Sequence, residues 1–158
     1  MNPLPKEIQD HIQQGGQEIL DGYVRFIPQQ KIEAVCEILE TSALWKGFTP
    51  FAITVFADVF AWDAESELFW LYRLVDGTDH IILSGSKYFF MTVKYDNELQ
   101  DELFDLSLYR EARKKLGVLQ SDECYIFEPV PALGGSKDIK SLNKGLTLPY
   151  LGILCSLT

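Results

Sequence analysis

Residues 51–62 read FAITVFADVFAW, with apolar side chains on both alternating faces. Only a strand covered on both sides suits that pattern, because either face left to water would expose a row of large apolar groups. The run is long for one strand, so a bend or bulge is expected within it. Asp63-Ala64-Glu65-Ser66 supplies a turn. Residues 67–75 form the next strand, with Leu68, Trp70, Tyr72 and Leu74 on one face and Glu67, Phe69, Leu71 and Arg73 on the other. Asp76-Gly77 is a hairpin signal, since the central residues of a type I′ turn need positive φ. Residues 80–83 then complete an antiparallel meander.

Helical periodicity surrounds this sheet. A short helix over 6–14 ends at Gly15-Gly16, and a strand-like stretch over 23–27 follows Asp21-Gly22. Residues 28–41 place Ile32, Val35, Cys36 and Leu39 in one apolar stripe, opened by Pro28 in the first turn. A short helix is expected over 86–92, and a firmer one over 106–116, capped by Asp105 or Ser107 and stopped by Gly117. Residues 124–127 read as the last strand, and 148–157 as a closing helix begun by Thr147 and Pro149. The sum is an α+β fold, a small antiparallel β-meander sheet with helices packed around it. One domain over 1–158 is expected, with an N-terminal helical part to about residue 45 and the sheet and C-terminal helices from about 46.

That architecture needs a sizeable core, and 47% hydrophobic and 13% aromatic residues supply one. The net charge of −9 argues against nucleic acid or an anionic membrane as partner and for a basic protein. The start, Met1-Asn2-Pro3-Leu4-Pro5-Lys6-Glu7, has no basic region followed by an apolar core, and no apolar run is long enough for a membrane span. Cys36, Cys124 and Cys155 are odd in number and widely spaced, which fits neither a disulfide framework nor a zinc site. They are expected to be buried free thiols in a reducing cytoplasm.

Little chemistry is legible. His11 and His80 are the only histidines, and neither sits in a catalytic motif. No cofactor, no metal and no enzymatic activity are expected. Gly134-Gly135 fits no phosphate-loop spacing and reads better as a backbone corner that a Cβ would block. Asp58 is a lone carboxylate in an apolar strand; buried without a partner it would cost several kcal/mol, so a paired structural role is favoured over a functional one. Charge distribution is the sharper signal. Residues 58–105 hold eleven acids against three bases, a net −8, while the rest of the chain is nearly neutral. The densest part runs from Asp96 through Glu98, Asp101 and Glu102 to Asp105. It reads either as an ordinary solvated face or as a patch that steers and docks a basic protein; it lacks the glycine and ligand order of a calcium loop.

Residues 122–135 carry the most distinctive pattern. Glu123, Tyr125, Phe127, Pro129, Ala132, Leu133, Gly134 and Gly135 fit the form E-x-Y-x-F-x-P-x-L-A-L-G-G, with Pro131 where leucine is usual. Upstream, Phe56-Ala57-Asp58-Val59-Phe60-Ala61-Trp62 fits F-G-D followed by two apolar residues, one free position and Trp, with Ala57 in place of glycine. Asp21-Gly22-Tyr23, Pro28, Phe89-Phe90 and Tyr150-Leu151 extend the match from about Ile19 to the C-terminus. The chain resembles the type VI secretion immunity proteins that carry a GAD-like domain. That resemblance implies a non-enzymatic, antitoxin-like protein that binds the catalytic domain of a secreted toxin, a nuclease or another kind. The motif residues, Asp58 and Trp62 among them, read as structural, and the acids Asp96, Glu98, Asp101, Glu102 and Asp105 as the protein-binding group. Two rival readings stand beside it: a small-molecule-binding regulatory domain with a pocket near Asp58 and Trp62, and an orphan protein-interaction domain.

Overall fold

In the computed structural model, which describes residues 2–158, six α-helices surround two antiparallel sheets, the α+β architecture read from the sequence. Helix α1 (Lys6–Gln13) leads into β1 (Glu18–Ile19) and β2 (Val24–Phe26), followed by α2 (Ile32–Leu39). Strands β3 (Thr49–Thr54), β4 (Val59–Asp63), β5 (Leu68–Arg73) and β6 (Thr78–Ile82) come next. All six strands pair with their sequence neighbours in the order β1-β2-β3-β4-β5-β6. Then come α3 (Phe89–Tyr95), α4 (Asn97–Leu103) and α5 (Leu106–Leu116). A second sheet pairs β7 (Glu123–Phe127) with β8 (Leu142–Leu146), and α6 (Thr147–Ser156) closes the chain against α2.

The 51–62 run is not one bent strand. It folds back on itself as β3 and β4, joined by a tight turn over residues 55–58. Thr54 makes the turn: its Oγ1 accepts from the Phe56 and Asp58 N–H groups, its carbonyl from Ala57 N–H, and its own N–H donates to the Asp58 carbonyl. Ala57 sits in the left-handed region at φ 65°, where glycine is the residue of least strain. No glycine, proline or asparagine marks this turn, so alternation alone runs straight through it. A bulge does occur, between Pro50 and Ala52.

Both faces of the sheet are covered, as the apolar run requires. On one side Phe51, Phe60 and Phe69 converge on Phe89 of α3, with ring centroids 5.2, 5.5 and 4.8 Å away. On the other, Trp45 lies 4.9 Å from Tyr72 and Phe48 lies 5.5 Å from Trp70. The β3–β4 turn is held from outside the sheet: the Tyr125 N–H of β7 donates to the Val55 carbonyl, and the Phe56 ring stacks on Phe127. The smaller sheet thus clamps the tip of the hairpin.

Smaller departures follow from local chemistry. The β5–β6 connection is a four-residue loop over residues 74–77, in which only Gly77 adopts positive φ, so the Asp76-Gly77 hairpin is longer than a type I′ turn. Helix α3 starts three residues later than expected, α4 is a helix of its own, and α5 lies where the periodicity placed it. Strand β8, not β7, is the last strand; its sequence, LNKGL, lacks the alternation that marks one. No helix is long and apolar enough to cross a membrane among the described residues.

Gly135 defines the corner after β7. A Cβ there would lie 1.7 Å from the Pro129 carbonyl oxygen, which is backbone and cannot swing aside. At Gly134 the added methyl would meet open space, and only the φ of 92° opposes it. Gly135→Ala should therefore cost about 3 kcal/mol and Gly134→Ala about 1 kcal/mol. Urea denaturation of the two variants checks the order; equal costs would refute the steric account of Gly135.

Candidate functional site

Two features outside the hydrophobic core concentrate polar chemistry, and they adjoin in sequence. The first is an ion cluster around Arg73, at the end of β5. Its guanidinium is 12% exposed and meets Asp105 at 2.8 Å, Asp76 at 3.1 Å and Asp58 at 3.8 Å. Lys137 lies 3.1 Å from both Asp76 and Asp105. Two cations face three carboxylates, so one carboxylate is surplus. Asp58, only 2% exposed, is the one for which ionisation is hardest. Burial outweighs Arg73 and Lys137 and pushes its carboxyl up to about 7. Asp58 thus has Arg73 as its partner in the structure.

Asp105 belongs to this cluster as well. It stands at the start of α5, yet its side chain makes no capping bond to that helix, because the carboxylate is drawn to Arg73 and Lys137. Its own N–H donates to Tyr23 Oη. Asp105 therefore differs from the other four acids grouped with it by sequence: it is half-buried and engaged.

The second feature is the outer face of α3 and α4. Asp96, Glu98, Asp101 and Glu102 are exposed there. Asp96 also caps α4, its Oδ1 accepting from Leu99 N–H at 3.1 Å, while Glu98, Asp101 and Glu102 share one helical face. Leu103 and Phe104 turn inward. Helix α3 adds an apolar component that the sequence reading missed. Phe89 and Val93 are buried against the sheet, which leaves Tyr88, Met91 and Tyr95 facing solvent, Tyr95 at 75% exposure. Leu83, at the end of β6, is also exposed. The available signal was that KYFFMTVKY has six apolar side chains in nine positions, although a surface helix can bury only one stripe.

The remaining motif residues serve the fold. Trp62 is buried with its ring 4.7 Å from Phe69. Tyr125 Oη donates to the Gly117 carbonyl at 2.6 Å, and the Phe127 N–H donates to Tyr150 Oη. Glu123 Oε1 accepts from Gln120 N–H, and its carbonyl accepts from Arg25. Pro129 follows a cis peptide bond and leads into the turn closed by Gly134 and Gly135. Leu133 is the exception: it is 64% exposed on that turn and packs into no core.

His80 is a partly exposed strand residue whose Nε2 pairs with Thr78 Oγ1. His11 lies between the rings of Phe26 and Phe90, and burial followed by the Lys94 charge lowers its pKa. Cys124 and Cys155 are buried free thiols, pushed by burial up to about 12 and about 11; Cys36 is half-buried. The surroundings of Asp58 and Trp62 are packed side chains and ion pairs. An apolar cavity of about 290 Å³ opens elsewhere, where β2, α2, β3 and the β8–α6 junction meet.

Residues 84–158 match the family described as T6SS (type VI secretion) immunity protein Tdi1, C-terminal. The resemblance to type VI immunity proteins is borne out over this segment, which runs from before α3 to the end of α6. It contains the outer α3–α4 face and the 122–135 motif. No curated protein matches the chain. Among solved structures, the crystal structure of Atu4351 from Agrobacterium tumefaciens superposes with a TM-score of 0.71 at 16% identity, covering 97% of this chain and 76% of that one. At that identity the likeness speaks for the fold alone.

The setting of Asp58 has a pH consequence. Its folded-state pKa of about 7 lies above the ordinary carboxylate value, so between those two values the folded state holds a proton that the unfolded chain has released. Stability from this group is greatest at low pH and falls as pH rises toward 7, by at most about 1.4 kcal/mol per pH unit. Asp58→Asn, which mimics the protonated form, should flatten the dependence between about pH 4 and 7. Urea midpoints at four pH values for both proteins test this; parallel profiles would show that Asp58 is not the titrating group.

Proposed function

We propose that this protein is a non-enzymatic type VI immunity protein that acts in the cytoplasm by binding the catalytic domain of a secreted toxin. The match of residues 84–158 to an immunity family carries this reading. The outer face of α3 and α4 lies within that same segment and has the composition of a docking surface. Tyr88, Met91 and Tyr95 offer exposed area that aromatic and methionine anchors commonly provide at interfaces. Asp96, Glu98, Asp101 and Glu102 rim them with negative charge, against Lys87 and Lys94 alone between residues 84 and 104. Such a rim accelerates encounter with a basic partner more than it tightens the final complex. A nuclease fits as that partner, because an enzyme that holds phosphates needs a cationic surface. Covering that surface with an acidic protein blocks the substrate from entering.

The toxin is obtained by capture on the tagged protein from its own organism's lysate at low salt, and its catalytic domain is then titrated with the wild type and two variants. Reversing Asp96, Glu98, Asp101 and Glu102 to lysine should lower the association rate by about tenfold or more and reduce its salt dependence. Tyr95→Ala should leave the association rate in place and raise the dissociation rate by about tenfold. An unchanged salt dependence in the charge-reversed protein would show that the toxin docks elsewhere.

A further inference from the structure

We propose that the cavity between β2, α2, β3 and the start of α6 binds a small apolar carboxylic acid. The walls come from Phe26, Ile27, Val35, Ile53, Leu146 and Leu148, so most of the lining is apolar. Its volume, about 290 Å³, stands at the lower edge of the range for small-molecule sites and suits an acid of about ten to twelve non-hydrogen atoms.

The polar groups on the lining select for negative charge. Arg25 and Lys31 both line the cavity, and neither forms an ion pair among the described residues. Arg25 is fixed in place: its two terminal nitrogens donate to the Gln120 and Glu123 carbonyls, while its buried Nε has no partner. The guanidinium is thus oriented by neutral acceptors, and no carboxylate reaches it within ion-pair distance, Glu18 acting on it only from farther away. In a chain of net charge −9, two unpaired cations on one apolar cavity are a conspicuous departure. Thr147, only 8% exposed, also lines the cavity, with its Oγ1 beside the Cys124 thiol. It opens α6, a ten-residue helix that lacks a side-chain N-cap, so the positive end of that helix dipole adds to the same field. Asp122 shares the lining; its carbonyl accepts from Thr147 N–H and its carboxylate pairs with neither cation.

Carboxylate and hydrocarbon are therefore wanted together. A neutral molecule of the same shape fills the walls but leaves both cations unpaired, and a hydrophilic anion leaves the walls wet. The site uses no residue of the α3–α4 face, so it stands or falls independently of the toxin reading.

Calorimetric titration of the whole protein with octanoate and 4-phenylbutyrate, each beside the corresponding alcohol, tests the assignment. At least one acid should bind at a single site about tenfold or more tighter than its alcohol. Lys31→Gln should remove most of that preference while leaving the alcohol unaffected. Val35→Phe, which fills the cavity, should abolish binding of both, with folding confirmed by thermal melting. Should Val35→Phe fail to fold, amide NMR shifts in the wild type decide: changes centred on Val35, Ile53 and Thr147 support the site. No binding of either acid below millimolar concentration, equal binding of acid and alcohol, or shifts centred elsewhere would overturn it.

Discussion

Arg73 must remain charged where little water reaches it, and the carboxylates that make this tolerable come from separate parts of the chain. Asp58 ends the β3–β4 turn, Asp76 lies in the β5–β6 loop and Asp105 ahead of α5, with Lys137 reaching in from the segment after the glycine corner. A buried ion group of this kind is weak evidence for net stability, since desolvation offsets much of the attraction. It is strong evidence for geometry, because each partner must arrive at a defined place. The cluster fixes where the six-stranded sheet, α5 and the C-terminal segment stand with respect to one another. Burial first, and the neighbouring acids Asp105 and Asp76 after it, explain why Asp58, the most buried carboxyl, holds its proton toward neutral pH.

The same cluster shapes the outer surface. Asp105 ends the acidic run that begins at Asp96, and its capture by Arg73 and Lys137 pins the chain where α4 gives way to α5. Phe104, buried beside Tyr23 and Phe60, secures the same point from the apolar side. Helix α4 spans only seven residues, too short to be stable by itself, so tertiary anchoring at its end is what keeps its acids on a fixed surface. Within the run Asp105 holds this junction and Asp96 caps α4, while Glu98, Asp101 and Glu102 stay exposed on one helical face.

Much of the fold was legible because period and punctuation agreed. Helix α5 has apolar residues four apart, cations in its last turn and Gly117 as a stop, and its bounds emerged as read. Where the two signals conflicted, the reading failed. Residues 51–62 alternate without interruption, but the reversal at residues 55–58 depends on Thr54 Oγ1 and a left-handed Ala57, neither of which is a usual turn signal. Strand β8 draws its place from pairing with β7 and not from its own sequence. At the candidate site the acids were visible as charge, yet the separation of Asp105 from the other four needed Arg73, thirty-two residues away in sequence. The exposure of Tyr88, Met91 and Tyr95 was not legible, because only packing decides which side of α3 faces the sheet.

The residues that carry the family resemblance and those that form the outer α3–α4 face are different sets. Tyr125, Phe127, Pro129 and Gly135 hold β7 and its corner, Trp62 fills the core, and Asp58 completes the ion cluster. None of these side chains projects from α3 or α4. The motif residues therefore hold a scaffold and leave the exposed side chains of α3 and α4 outside it. Substituting Tyr95 or Glu98 disturbs no buried contact, because both lie in solvent. A scaffold of this design permits the outer α3–α4 face to change while the Arg73 cluster and the glycine corner stay as they are. Leu133 has no packing role in the structure; like Ala132 and Gly134 on either side of it, it is exposed on the turn after β7.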